Sequence, residues 1–235
     1  MSSSIWTPRA VRTRARVQRV ELWRAVEAQH VASTMGLVDS QEEQDILEFI
    51  LEESKPAIPT EAAGLHYLLF TPFRYPALPP GSRFRSTADP GVFYGADEER
   101  TACAEVGYWR WRFLADSEGL TELGPVAHTV FLSRVEALAV DLREKPFSKA
   151  SRQWTDPVNY SGTQAFASIV RAAGVAVIRY QSVRDPGKGG CAAVLEPRAF
   201  IAPRRPLNQQ TWFLTVTRSA SAWRRDDQHF DFRWA

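Results

Sequence analysis

Residues Gly81 to Val106 read GSRFRSTADPGVFYGADEERTACAEV, and they narrow the possible folds more than any other part of the chain. The turn signal Asp89-Pro90-Gly91 precedes VFYGA (92–96), which has the pattern of a short strand. Asp97 then opens a helix to about Leu114, with Glu98 and Glu99 suited to the positive end of its dipole. A loop, a strand and a helix therefore follow one another with almost no linker. They carry two arginines (Arg83, Arg85), a tyrosine (Tyr94) and a carboxylate (Glu105). An arginine fork, an aromatic face and an acid are the groups needed to hold a dinucleotide and break its glycosidic bond.

The flanking pattern sets the fold class. VELWRAVE (20–27) alternates as a strand and puts Val20, Leu22, Arg24 and Val26 on one face, so Arg24 is a charge on an otherwise apolar side. Asp39 or Ser40 caps a helix to about Glu53, with Ser40 and Glu43 at capping-box spacing and Ile46, Leu47, Phe49 and Ile50 as its buried stripe. Pro56 and Pro59 stop it. HYLLF (66–70) reads as a buried strand followed by a proline-broken loop. Two strands are expected near 127–132 and 137–142. A helix begins at Ser161-Gly162-Thr163-Gln164 and ends at Gly174, and further strands lie near 175–181, 192–195 and 212–217. This irregular order predicts an α+β fold and excludes a doubly wound parallel sheet. No GxGxxG follows a strand, so a Rossmann site is excluded.

Composition limits the function. The 235 residues suit one large domain, and a net charge of +2 gives no global case for binding nucleic acid. No run reaches the length of a membrane span. Two cysteines, Cys103 and Cys191, build neither a disulfide framework nor a zinc site. His30, His66, His128 and His229 are scattered, so no metal is expected. A cytoplasmic location follows. We divide the chain into a basic, flexible segment (1–19) with five arginines from Arg9 to Arg19, a single domain (20–220) and an aromatic tail (221–235). The tail either packs back on the domain or docks on a partner.

Each candidate residue has a plain reading beside a functional one. Glu105 falls at the edge of a stripe made by Ala102, Val106, Trp109 and Phe113, so it is either paired with Arg112 or Arg83 or placed for use. Tyr94 is a core ring or a stacking surface for a flat base. Of Arg83 and Arg85, one could grip a diphosphate while the other is solvated. Ser161 is a helix cap or a phosphate site at a helix N-terminus. Ser182 enters a glycine-rich loop that is a simple turn or, with Arg184 and Lys188, the lining of an anion site.

Together LWRAVE, HYLLFTPFRYP, GSRF…GVFYGA…TACAEV, YSGTQAFASIVRAAGVAVIRY and QSVRDPGKGGCAAVLEP resemble the RES-domain family, named for its arginine, glutamate and serine. The likeness runs from about Leu22 to Pro197. It implies an ADP-ribosyltransferase-like core of small, mostly antiparallel sheets flanked by helices, and the activity of a bacterial toxin that consumes NAD as substrate. It also implies a helix-turn-helix antitoxin that occludes the active site. Arg24 and Arg83 then match the family's arginines, Tyr94 its stacking tyrosine and Glu105 its carboxylate. Ser161 and Ser182 both match segments of the family, with Ser161 preferred. On this reading Glu105, Arg83 and Tyr94 are catalytic, and Arg24, Arg83, Tyr94, Ser161 and Ser182 bind the dinucleotide. The reaction is ADP-ribosyl transfer to a cellular protein, with phosphorolysis or hydrolysis of NAD as the alternative. A non-catalytic protein whose basic N-terminus contacts nucleic acid is the competing class.

Overall fold

The computed structural model describes residues 6–28 and 40–234. Asp39 and His30 lie outside the described residues. Eight strands form one continuous sheet in the order β1-β2-β5-β4-β3-β6-β7-β8, with β1 (Arg16–Glu27) also paired to β3 (Glu122–Asp141). That extra pairing closes β1, β2 (Phe93–Ala96), β5 (Gly190–Val194), β4 (Val177–Gln181) and β3 into a five-stranded ring. Strands β6 (Leu207–Thr217), β7 (Ser221–Arg225) and β8 (Gln228–Phe232) extend from the outer edge of β3 as an antiparallel meander. Every pairing is antiparallel except β3 with β4. The fold is α+β, as expected, but its strands make one curled sheet where several small ones were anticipated.

The closure rests on β3. The two strands expected near 127–132 and 137–142 are one 20-residue strand. Its central residues pair with β1 along one edge, while the other edge serves β6 and then the start of β4. Between β3 and β4 the chain crosses through the short helix α5 (Ser151–Trp154) and then α6 (Ser161–Ala172), which gives the one parallel step. Gly174 follows α6 with φ +63, a left-handed terminus that suits glycine.

Several local expectations change. HYLLF is not a strand: His66 caps α3 (Tyr67–Arg74), its Nδ1 accepting from the Leu68 N–H at 3.3 Å. A five-residue apolar run fits a buried helix turn as well as a buried strand, and tertiary packing decided it. Ser40 caps α2 (Gln41–Glu53) as expected, its Oγ accepting from the Glu43 N–H at 3.2 Å. The apolar stripe of that helix is nevertheless exposed at Ile46, Phe49 and Ile50. Periodicity identifies an apolar face but not what covers it. Asp97 does not cap the next helix. Glu98 takes that place for α4 (Glu99–Asp116), and Asp97 instead accepts from Arg179 at 2.5 Å and Arg143 at 3.2 Å.

Residues 6–19 and 221–234 both pack on the domain. Residues 8–14 form helix α1, which packs on α6 with Val11 fully buried, and Arg12 donates to the Gly174 carbonyl at 3.0 Å. That contact satisfies a free carbonyl at the negative end of α6. Residues 6–19 are therefore not the flexible arm expected from their charge, because Val11 and Trp6 pack on the core and residues 16–19 pair with β3. The aromatic tail supplies β7 and β8, and Trp223 and Phe232 are buried against α4 and β6. Among the described residues no helix is long and apolar enough to cross a membrane. Val11→Ala should destabilise the domain by about 1–3 kcal/mol, read as a lower urea midpoint at constant slope; an unchanged midpoint would mean that α1 contributes nothing to the core.

Candidate active site

Strands β1 and β2 meet where Trp23 pairs with Ala96, and a cavity of about 420 Å³ opens beside that crossing. This size is in the range of small-molecule sites. Helix α4 runs past it with Ala102, Glu105, Val106 and Trp109 on the lining, the i, i+3, i+4, i+7 face of a helix. Most of the stripe expected as core is therefore cavity wall, and Trp109 and Phe113 are about half exposed. The helix packs through the opposite side, with Cys103, Ala104 and Leu114 buried against the meander. Gly107 makes this seating close: a Cβ there would lie 2.6 Å from Ser221 Oγ and 3.2 Å from Trp223 Nε1. The sequence places Glu105 on the boundary between these two faces, and the structure turns that boundary into the cavity.

Glu105 is held by Ser182. The buried Ser182 hydroxyl accepts the N–H groups of Arg184 at 3.1 Å and Asp185 at 2.9 Å, and donates to Glu105 Oε1 at 2.5 Å. A serine oxygen has two lone pairs and one proton. Both lone pairs are occupied by backbone donors, so the proton must point at the carboxylate. Burial raises the Glu105 pKa above the ordinary carboxylate value, while the Ser182 hydrogen bond, and then the charges of Arg83 and Arg184, pull it back down. Arg112, one partner expected for this acid, instead pairs with Asp116 at 2.8 Å. Arg83, the other, acts on Glu105 through its charge.

Arg83 sits in a tight loop fixed from several sides. Gly81 enters it with φ +87, and a Cβ there would lie 2.3 Å from the Arg85 carbonyl oxygen. The Tyr94 hydroxyl accepts the Phe84 N–H at 3.0 Å and bonds the Ser82 hydroxyl at 2.8 Å. Gln164 on α6 donates to the carbonyls of Pro80, Ser82 and Arg85 at 3.2, 3.0 and 3.3 Å. Thus Tyr94 presents its ring to the cavity and spends its hydroxyl on holding the arginine loop. The Arg83 guanidinium is buried and donates Nη1 to the carbonyls of Trp154 at 3.0 Å and Asp156 at 2.9 Å. Its Nη2 is buried without a hydrogen-bond partner.

Arg24 shares this condition. Its Nη1 donates to the Tyr94 carbonyl at 2.7 Å, its guanidinium lies 4.8 Å over the Phe93 ring, and its Nε is buried and unpaired. Burial lowers its pKa to about 10, so it keeps its charge at neutral pH. Buried donors without partners are costly, and they mark where an anionic or carbonyl ligand would be stabilised.

Arg24, Arg83, Tyr94 and Glu105 all line the one cavity. Ser182 meets it through Glu105, whereas Ser161 is exposed, is not on the lining although its neighbour Tyr160 is, and donates its N–H to Asn159 Oδ1 at 3.0 Å. The capping box expected there does not form, since Tyr160 occupies the N-cap and Gln164 is engaged elsewhere. Arg85 turns outward to the Tyr75 carbonyl at 2.7 Å, Arg74 pairs with Glu52 at 2.6 Å, and Lys188 is exposed. Sequence reasoning missed Trp23, Tyr160 and Tyr180 on the lining, and gave Arg184 only as an option. The adjacency of Ser182 to Arg184 was the available signal for that arginine. Among the described residues no group of three or more His, Cys, Asp or Glu could hold a metal ion.

No curated protein matches the chain. A solved structure described as the M. tuberculosis MbcT–MbcA toxin–antitoxin complex contains a chain with this fold. The similarity has a TM-score of 0.52 at 13% sequence identity and covers 90% of this chain and 92% of that one. At that identity the likeness concerns the fold alone. The RES domain model matches residues 58–217, more than half of the chain and the stretch that supplies Arg83, Tyr94, Glu105 and Ser182. The protein therefore belongs to the RES domain family.

Proposed function

We propose that this protein is the toxin of a toxin–antitoxin pair and that it breaks the nicotinamide–ribose bond of NAD. The observation that carries the reading is a single, partly buried carboxylate, Glu105, in the same cavity as two arginines that each keep an unpaired buried nitrogen, Arg24 and Arg83. Nicotinamide in NAD is already cationic. When its C–N bond breaks, the electron pair goes to the ring nitrogen, and a neutral base leaves without needing a proton. The remaining task is to stabilise an oxocarbenium-like ribose, the type of transition state met in glycoside cleavage. An ionised Glu105 would accept hydrogen bonds from the ribose hydroxyls and offset the growing positive charge. The arginines would hold the diphosphate, and the Tyr94 ring would fix the plane of the nicotinamide. Positioning of this kind supplies most of the rate in such a site.

In this reading ADP-ribose passes to a nucleophile on a cellular protein, which forms a bond to the anomeric carbon and loses its proton. A second acceptor is favoured by the cavity's own charge. Arg24, Arg83 and Arg184 outnumber the one acid there, which suits an anion such as inorganic phosphate. The partner is an antitoxin with a helix-turn-helix domain that covers the mouth of the cavity, and the setting is the cytoplasm of a bacterium. Support for the partner is that the similar fold comes from a toxin–antitoxin complex. The competing nucleic-acid reading would use the exposed Arg9, Arg14, Arg16 and Arg19, since Val11 and Arg12 are engaged by the domain itself.

Purified protein given NAD labelled in the adenylate half, with and without phosphate and cell extract, should release nicotinamide and move the label to protein or to phosphate. Retention of intact NAD under every condition would refute the reading. Glu105→Gln should lower nicotinamide release by at least about 100-fold. It should also melt higher than the parent at pH 8. The raised pKa of Glu105 means that the folded state loses stability as pH rises through it, a cost the amide does not carry. The melting difference should shrink as pH falls below that pKa.

The pH dependence tests the role of Ser182. Activity that needs the carboxylate is lost as pH falls through the raised pKa of Glu105. Removing the hydroxyl that lowers this pKa should move the acid limb of kcat/KM to higher pH in Ser182→Ala. A limb that stays in place would show that the hydrogen bond does not control the ionisation.

A further inference from the structure

The loop from Trp154 to Tyr160 does one thing repeatedly: it holds arginines. The carbonyls of Trp154 and Asp156 accept from Arg83, and the carbonyl of Pro157 accepts from Arg184 Nη2 at 2.5 Å. Tyr160, at the end of the loop, touches both. Its ring lies 4.7 Å beneath the Arg83 guanidinium, and its hydroxyl accepts from Arg184 Nη2 at 3.0 Å. Arg184 is clamped from a further side by Tyr108, whose ring centre is 3.9 Å away. Arg83, Arg184 and Tyr160 all line the cavity.

An arginine side chain has many rotamers, and a fixed guanidinium avoids the entropy that a free one loses on binding. Two guanidiniums fixed on one tyrosine present a rigid set of donors to adjacent phosphate groups. We infer that Tyr160 is a positioning residue that ties Arg83 and Arg184 into a single fork for the diphosphate of the dinucleotide. This inference rests on the NAD reading for the identity of the substrate, but the fork itself is a diphosphate site whatever reaction follows. Tyr160 reaches the site through Arg83 and Arg184, with its ring under one and its hydroxyl on the other, so its first effect is on how the diphosphate is held.

The test uses the full chain with two variants. Tyr160→Phe keeps the ring under Arg83 and removes the acceptor for Arg184, whereas Tyr160→Leu removes both. Inorganic pyrophosphate binding is followed by calorimetry and NAD cleavage by nicotinamide release. Tyr160→Phe should weaken pyrophosphate binding and raise KM by about 5- to 20-fold with kcat within about twofold. Tyr160→Leu should weaken both by more than about 30-fold. Unchanged pyrophosphate affinity in folded Tyr160→Phe, or a loss confined to kcat, overturns the inference. If the parent binds pyrophosphate and the variants weaken in this order while NAD is never cleaved, the fork stands and the proposed reaction falls.

Discussion

A single proton, that of Ser182, sets the state of the site. Its direction is fixed by two backbone N–H groups that occupy the oxygen's lone pairs, so it can only serve the Glu105 carboxylate. Without it, a carboxyl buried at the edge of α4 would be driven further toward the neutral acid. A neutral acid cannot balance positive charge on a ribose. The glycine-rich turn after β4 thus reaches the chemistry through the serine that begins it, and Arg184, two residues later, enters the same cavity.

The rest of the molecule can be read as support for that arrangement. Closing β1 against β3 brings Arg24 to the cavity, and pairing β1 with β2 places Tyr94 and its carbonyl beside it. The meander gives α4 a surface to rest on, so that the helix turns Glu105 to the cavity and its small residues to the core. Gln164 and Tyr94 together fix the loop that carries Arg83. Each functional group is therefore held by an element other than its own, and Arg24 and Arg83, each with one buried nitrogen left unpaired, line a ligand-sized space. Buried donors of this kind cost stability.

Much of this was legible in the sequence because it depends on short-range pattern. The charge on an apolar strand face marked Arg24, the loop–strand–helix run marked Arg83, Tyr94 and Glu105, and the irregular order of elements marked the α+β class. What was not legible depends on contacts between distant segments. HYLLF had no periodicity long enough to separate helix from strand, and His66 and the core chose the helix. The stripe on α4 was correctly apolar yet faces a cavity, while that on α2 is exposed. Local setting ranked Ser161 ahead of Ser182, since a helix N-terminus looks like the better anion site. Only the tertiary hydrogen bond distinguishes Ser182. Tyr160 and Trp23 carry no motif at all and reach the cavity through loop and sheet geometry.

The most direct test of the central claim is a crystal structure of the protein with a non-cleavable carbocyclic analogue of NAD. The account predicts the ribose-equivalent hydroxyls within about 2.6–3.2 Å of Glu105, the diphosphate on Arg83 and Arg184 with Arg24 beside it, and the nicotinamide ring against Tyr94. An analogue bound elsewhere, or bound here with its diphosphate at Glu105 and its ribose away from that acid, would contradict it.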